Sequence, residues 1–159
     1  KPADIIKLLA GTAIDASMQA WGKVDAAVRR VGPYASVTFD DPIAQRVVED
    51  MGGWISLGTK DDDGWPFVGN EFRTRYQAYR SRGETPQHQA RLIGIAEAEN
   101  ARRGLKSPEI LGREHVLIGD QSRARQVALS GVDKPMIGIS RVGDATNDDD
   151  NILRLSVKR

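Results

Sequence analysis

Few side chains of this 159-residue chain are of a type and spacing that could do acid–base chemistry. His88 and His115 are the two histidines, and neither lies in a recognisable catalytic motif. Nucleophilic catalysis of the serine type needs a hydroxyl, a base and an orienting group brought together. Glu97 and Glu99 are two residues apart, so on a helix they would face different sides rather than act as a pair. We predict no catalytic residue and no enzymatic activity, with an enzyme that lacks a recognisable motif as the alternative.

Runs of aspartate are the next candidates, because carboxylates can bind a metal ion. The triplets at 61–63 and 148–150 are typical of a solvated surface, and the second lacks the glycine and glutamate spacing of a calcium loop. Asp40 and Asp41 precede Pro42, a pattern that begins a helix, with Asp41 as the N-cap. The chain has no cysteine and no glycine-rich phosphate loop. We therefore predict no metal site and no cofactor.

An excess of arginine between residues 73 and 103 is the strongest sign of a binding surface, with seven arginines against three acidic residues. The candidate residues for binding a partner or nucleic acid are Arg73, Arg75, Arg80, Arg82, Arg102 and Arg103. Arginine beside Tyr76 and Tyr79 could contact phosphates and bases, but it also suits an acidic or aromatic protein surface. A solvated helix face with both tyrosines in the core is a third interpretation. The formal net charge of +1 favours a protein partner over nucleic acid.

The first half of the chain is predicted to be helical from its apolar spacing and its stop residues. We predict a helix over 2–9 that ends at Gly11, and a second over 14–30. The apolar side of this second helix consists of Ile14, Met18, Trp21, Val24 and Val28. A loop over 34–39 is favoured over a short extended piece. The next helix runs from Pro42 to Met51 and is ended by the glycines at 52–53.

The second half begins with a strong helix over 66–82, and the stripe along it consists of Val68, Phe72, Tyr76 and Tyr79. For residues 90–104 one helix ending at Gly104 is favoured over a strand that turns into a helix. A short extended piece is then followed by a cap at Asp120 and a helix over 121–130. The segment "KPMIGISR" is a further candidate extended piece.

These elements predict a mainly α fold, a compact bundle of about four to six helices with short extended pieces and a flexible C-terminal tail. We expect 1–12 to be a junction helix from a missing N-terminal domain, 13–142 to be the helical domain and 143–159 to be a flexible acidic tail. No apolar run approaches the roughly 18 residues of a membrane span, so no membrane partner is expected. The sequence leaves the oligomeric state open.

The segment from Ala20 to Tyr79 carries a resemblance to a known family. Its order "AW-KV--AVR-VG-Y-SV-FDDP", then "V-EDMGGW", then "F--RY--Y", resembles an uncharacterised domain family encoded in bacteriophages and prophages of proteobacteria. The same helices are more distantly similar to phage replication proteins of the replicative-helicase loader or inhibitor type. The resemblance covers about the first 105 residues and brings no catalytic residue with it.

This resemblance implies a phage or prophage protein that works by binding, as an adaptor in DNA replication. The implied partner of such an adaptor is a protein, namely a replicative helicase. The implied location is the cytoplasm of a bacterial host cell. The alternative is a DNA-binding accessory protein that uses the arginine-rich region 73–103.

Overall fold

The computed structural model describes residues 2–106 and 115–132. In chain order the elements are α1 (Pro2–Arg30), β1 (Val37–Phe39), α2 (Pro42–Asp50), α3 (Trp54–Gly58), α4 (Trp65–Ser81), α5 (Ile95–Arg102), β2 (Val116–Ile118) and α6 (Gln121–Ser130). The prediction of a mostly helical fold is confirmed, but β1 and β2 form a small parallel sheet, so the fold is not all-α. The predicted tail at 143–159 and the segment "KPMIGISR" lie outside the described residues. No helix of the described ranges is both long and apolar enough to cross a membrane.

Helix α1 is continuous from Pro2 to Arg30, so the predicted break at Gly11 is wrong. A glycine that ends a helix commonly adopts a left-handed φ. Gly32 does so, with a φ of 75°, whereas Gly11 does not. A single glycine inside a helix costs only about 1 kcal/mol relative to alanine, which the rest of a long helix can offset.

The buried side of α1 also differs from the predicted apolar side. Ile14 and Met18 are 46% and 57% exposed. Of the predicted residues Val24 is fully buried, and the other buried residues of α1 are small, namely Ser17, Ala20 and Ala27. Small side chains allow α1 and α4 to approach closely, and a Cβ at Gly69 of α4 would lie 2.8 Å from the Trp21 indole nitrogen.

Strand β1 occupies the segment for which a loop was favoured, so that prediction is wrong. All three of its residues are buried, so the strand lacks the alternation of buried and exposed residues that marks a strand with one solvent-exposed face. It pairs with β2 in parallel register, Val37 with Val116 and Phe39 with Ile118. Leu92 forms a bridge to Val37 from the other side, so the chain is extended there and α5 begins only at Ile95. The prediction of one helix over 90–104 is therefore also wrong.

The helix ends that were predicted from capping residues and glycines are confirmed. Asp41 caps α2, and Gly52 and Gly53 follow it with φ of 105° and 94°. Asp120 caps α6 at the predicted position. The largest fully buried side chains are Trp54, Phe39, Phe72, Leu57 and Leu92. Trp21 is half-buried and packs against Phe72, with ring centroids 5.4 Å apart.

The parallel sheet determines where polar residues gather. Each strand is followed directly by a helix, α2 after β1 and α6 after β2. Because parallel strands end at the same edge, Asp40, which follows β1, lies beside Asp120, which follows β2. In open sheets of parallel strands, ligands bind outside this carboxyl edge.

Candidate functional site

A cleft of about 680 Å³ lies at the carboxyl edge of the sheet, between α1, α4 and α6. Its polar lining includes Gln19, Lys23, Asp40, Tyr76, Arg80 and Arg123. These side chains come from four separate parts of the chain, which the parallel pairing of β1 and β2 and the packing of α1 on α4 bring together. A volume of this order is in the range of roughly 300–1,000 Å³ that is usual for ligand pockets.

Asp40 forms the floor of this cleft. Its side chain is only 2% exposed, and the Lys23 ammonium lies 2.9 Å from Oδ1 and 2.8 Å from Oδ2. The backbone N–H of Asp120 also donates to Oδ2, at 2.8 Å. Asp40 therefore links α1, β1 and the start of α6. The prediction that both aspartates only mark a helix start is wrong for Asp40, which is the counter-ion of Lys23.

Gly119 makes this arrangement possible because it has no side chain. Its φ is 87°, and a Cβ built there would lie 2.3 Å from Oδ2 of Asp40. Any other residue would be strained in this conformation and would also displace the carboxylate. The chain can thus turn from β2 into α6 directly over Asp40.

Asp41 and Tyr76 form the second part of the floor. Asp41 Oδ1 accepts from the backbone N–H groups of Ile43, at 2.9 Å, and Ala44, at 3.4 Å. Its Oδ2 accepts from the Tyr76 hydroxyl at 2.5 Å. Burial raises the pKa of Tyr76, and the hydrogen bond to Asp41 raises it further, while the charge of Arg80 lowers it. The phenol therefore stays protonated and holds Asp41 in place.

The cations around the cleft are not equivalent. Lys23 is neutralised by Asp40, whereas Arg80 and Arg123 take part in no ion pair within the parts of the chain that the structure describes. Both side chains belong to exposed residues. The floor carboxylates already accept hydrogen bonds, so the two guanidinium groups can bind an anionic group that enters the cleft.

One known family matches a segment of the chain that contains most of the residues lining this cleft. The family described as Domain of unknown function (DUF6475) matches residues 37–131, from the first residue of β1 to the residue after α6. The chain belongs to this family. The DUF6475 match contains Asp40, Tyr76, Arg80 and Arg123, whereas Lys23 lies on α1 before it. No curated protein and no solved structure matches the chain.

Within the DUF6475 domain, the structure distributes the predicted arginines over several surfaces. On α4, Arg73 and Arg80 are seven residues apart and share one side. Arg75 and Arg82, the C-cap of α4, are also seven residues apart and lie on another side. Of the predicted residues, Arg80 is the one that lines the cleft.

Four of the five other predicted arginines contact neighbouring side chains. Arg75 pairs with Glu71 at 2.9 Å, and Arg102 pairs with Glu99 at 3.0 Å. Arg82 lies over the Tyr79 ring, 5.1 Å from its centroid. Arg73 donates to Asn70, and Arg103 is exposed at the end of α5. A binding role for these residues stays a prediction.

His88, Glu97 and Glu99 were also weighed for chemistry, and they do not line the cleft. His88 is buried, with Nε2 3.0 Å from the Val127 carbonyl oxygen and Nδ1 3.2 Å from that of Pro86. Glu97 is buried while Glu99 is exposed, so the two do face different environments as predicted. Within residues 2–106 and 115–132, no three acidic or histidine side chains are grouped so that they could hold a metal ion.

Proposed function

We propose that this protein works by binding rather than by catalysis, and that a partner protein docks at the cleft between α1, α4 and α6. The observation that supports this is the pair of guanidinium groups, Arg80 and Arg123, at the mouth of a cleft whose aspartates are already hydrogen-bonded. Arginine is enriched at protein interfaces and at their energetic hot spots. A docked protein would supply the carboxylate partners that these two residues lack among the described residues.

The specific form of the proposal is an adaptor in DNA replication, in a phage or prophage protein that acts in the cytoplasm of a bacterial host. Its support is the similarity of the segment Ala20–Tyr79 to phage replication proteins that load or inhibit a replicative helicase. Residues of this segment form one wall and the floor of the cleft, including Lys23, Asp40 and Tyr76. A replicative helicase is accordingly the first partner to test.

Site-specific crosslinking can test the docking surface directly. A photoreactive residue at Gln126, which lines the cleft, should crosslink a helicase subunit, and the same residue at Arg102 on α5 should not. Changing Arg80 and Arg123 together to glutamine should reduce the yield at Gln126. Equal crosslinking from both positions, or a yield that the double change leaves intact, would contradict docking at the cleft.

A DNA-binding accessory protein is the second candidate, because Arg73 lies on the same side of α4 as Arg80. Changing Arg73, Arg80 and Arg82 together to glutamine would then lower the salt slope of DNA binding by about 0.7 to 0.9 per lost phosphate contact. The protein-binding proposal instead expects little DNA affinity at physiological salt before or after the change. Fluorescence anisotropy of a labelled duplex over a salt series separates the two.

A further inference from the structure

We infer that the cleft recognises a short acidic segment of the partner, with Arg80 and Arg123 binding its side-chain carboxylates. This inference rests on the proposed function and names the chemistry that the docked protein must present. It depends on three features of the cleft: where its donors come from, whether its floor competes for them, and what its size and lining exclude.

The two donors are held by separate helices. Arg80 lies in the last turn of α4, and Arg123 lies in the first turn of α6. The backbone N–H of Arg123 donates to Asp120 Oδ1 at 2.8 Å, which fixes that turn. A guanidinium group presents a planar fork of N–H donors that matches a carboxylate with two parallel hydrogen bonds. Two such forks at one opening suit consecutive or nearby acidic side chains.

Neither donor forms an ion pair with a floor carboxylate among the described residues. Both oxygens of Asp40 accept from Lys23, and both oxygens of Asp41 accept from α2 or Tyr76. The lining contains three cationic and two anionic side chains, which leaves one net positive charge facing the opening. Desolvating that charge is costly unless an anion accompanies it, so an entering carboxylate is favoured.

The same lining disfavours nucleic acid as the ligand. A phosphate commonly sits on free backbone N–H groups at a helix N-terminus, but at α2 and α6 aspartate caps already occupy such groups. Single-stranded nucleic acid also needs exposed rings for its bases, and Tyr76, the aromatic side chain in the described lining, is buried. A few acidic side chains need to approach only the two arginines.

Nuclear magnetic resonance titration of the whole chain with a tetraglutamate peptide tests this inference. We expect tetraglutamate to shift the backbone amide resonances of Gln126 and Ser130, which line the cleft, and tetraglutamine to leave them unshifted. The double change Arg80→Gln and Arg123→Gln should weaken tetraglutamate binding about tenfold or more, since it removes charge-assisted hydrogen bonds. The matched change Arg75→Gln and Arg102→Gln removes the same charge elsewhere and should alter affinity less than about twofold.

The remaining outcomes would overturn the inference. One is a shift of the cleft resonances by a thymidine oligonucleotide or inorganic phosphate and not by tetraglutamate. Another is the absence of any shift from tetraglutamate, or equal weakening by both double changes. A spectrum of the Arg80 and Arg123 variant with dispersed amide resonances shows that it is folded. If Gln126 crosslinks the helicase while tetraglutamate fails to bind, docking at the cleft stands and the acidic-segment inference is wrong.

Discussion

Two buried carboxylates in this protein make similar contacts in different surroundings. The Asp40 side chain is 2% exposed and pairs with Lys23, and the Glu97 side chain is 5% exposed and pairs with Arg91 at 2.5 Å. Each carboxylate also accepts from a second donor that lies far away in sequence. For Asp40 this donor is the backbone N–H of Asp120, and for Glu97 it is the Ser36 hydroxyl at 2.5 Å.

The surroundings separate a structural pair from a candidate site. The Ser36 hydroxyl also accepts from the backbone N–H of Gly94, at 3.0 Å, so the Glu97 network joins the start of α5 to the residues before β1. Arg91 is only 15% exposed, whereas Lys23 is 42% exposed and lines an open cleft. A buried ion pair alone therefore does not indicate a binding site. The additional cations beside the Asp40 pair are what distinguish the cleft.

Replacing Glu97 should have the largest effect on stability. In Glu97→Gln the mostly buried Arg91 guanidinium loses the carboxylate that lies 2.5 Å from it, and breaking a buried pair in this way costs about 3–5 kcal/mol. The free energy of unfolding, measured by urea denaturation, checks this. Glu99→Gln, at an exposed position of the same helix, is the control and should change stability by less than about 0.5 kcal/mol. A loss below about 1 kcal/mol at Glu97 would contradict its structural role.

Replacing Asp40 should cost less, although it is buried as deeply. In Asp40→Asn the Lys23 ammonium can turn to water, and the loss is about 1–3 kcal/mol from the donors that lose an acceptor. The same urea measurement applies. An equal loss of stability in the Asp40 and Glu97 variants would show that Lys23 is not rehydrated. The greater exposure of Lys23 than of Arg91 would then have no effect on the cost of breaking its pair.

Replacing Asp41 should have a smaller effect again. Asp41→Ala removes the N-cap of α2 and the acceptor of the Tyr76 hydroxyl, and loss of such a cap costs about 1 kcal/mol. Asp120→Ala, which removes the cap of α6, is a matched comparison. Calorimetric titration with divalent cations tests the interpretation of Asp41 as a cap, since stoichiometric metal binding that the change abolishes would overturn it.

The features that sequence patterns predicted correctly depend on neighbouring residues. The Asp41–Pro42 start of α2, its glycine end and the cap at Asp120 each need only a few adjacent residues. The apolar stripe of α4 likewise repeats within one helix, and Val68, Phe72 and Tyr76 are buried as expected. These signals are local, so a single sequence carries them.

The candidate site depends on contacts between distant parts of the chain. Asp40 and Asp120 are 80 residues apart, and their contact follows from a strand pairing that only a weak alternation over 34–39 indicated. Lys23 and Arg123 were missed because each is an ordinary surface cation in its own helix. The one available signal was that two short apolar runs are each followed by aspartate, over 37–40 and 116–120. If those two runs had been predicted to pair in parallel, Asp40 and Asp120 would have been predicted to lie together at the carboxyl edge of the sheet.

Glu49 provides the smallest and most specific test, because it is a half-buried carboxylate without an ion pair among the described residues. Burial raises its pKa, although the backbone N–H of Gln89, which donates to it, and the charge of Arg46 lower it. The folded state therefore holds this proton more tightly than the unfolded chain does. Stability must then fall as pH rises from the ordinary value of 4.5 through the raised pKa, and it must be recovered as pH falls.

Glu49→Gln should remove this part of the pH dependence. Glutamine has no proton to lose and its carbonyl oxygen can still accept from Gln89, so the variant should gain stability relative to the unmodified protein as pH rises through that window. Urea denaturation of both proteins at several pH values above 4.5 measures the difference. Parallel pH profiles would mean that the pKa of Glu49 is the same in the folded and unfolded states. In that case the hydrogen bond from Gln89 and the charge of Arg46 would fully offset burial at this position, and burial alone would not explain why the Glu97 variant should lose more stability than the Asp40 variant.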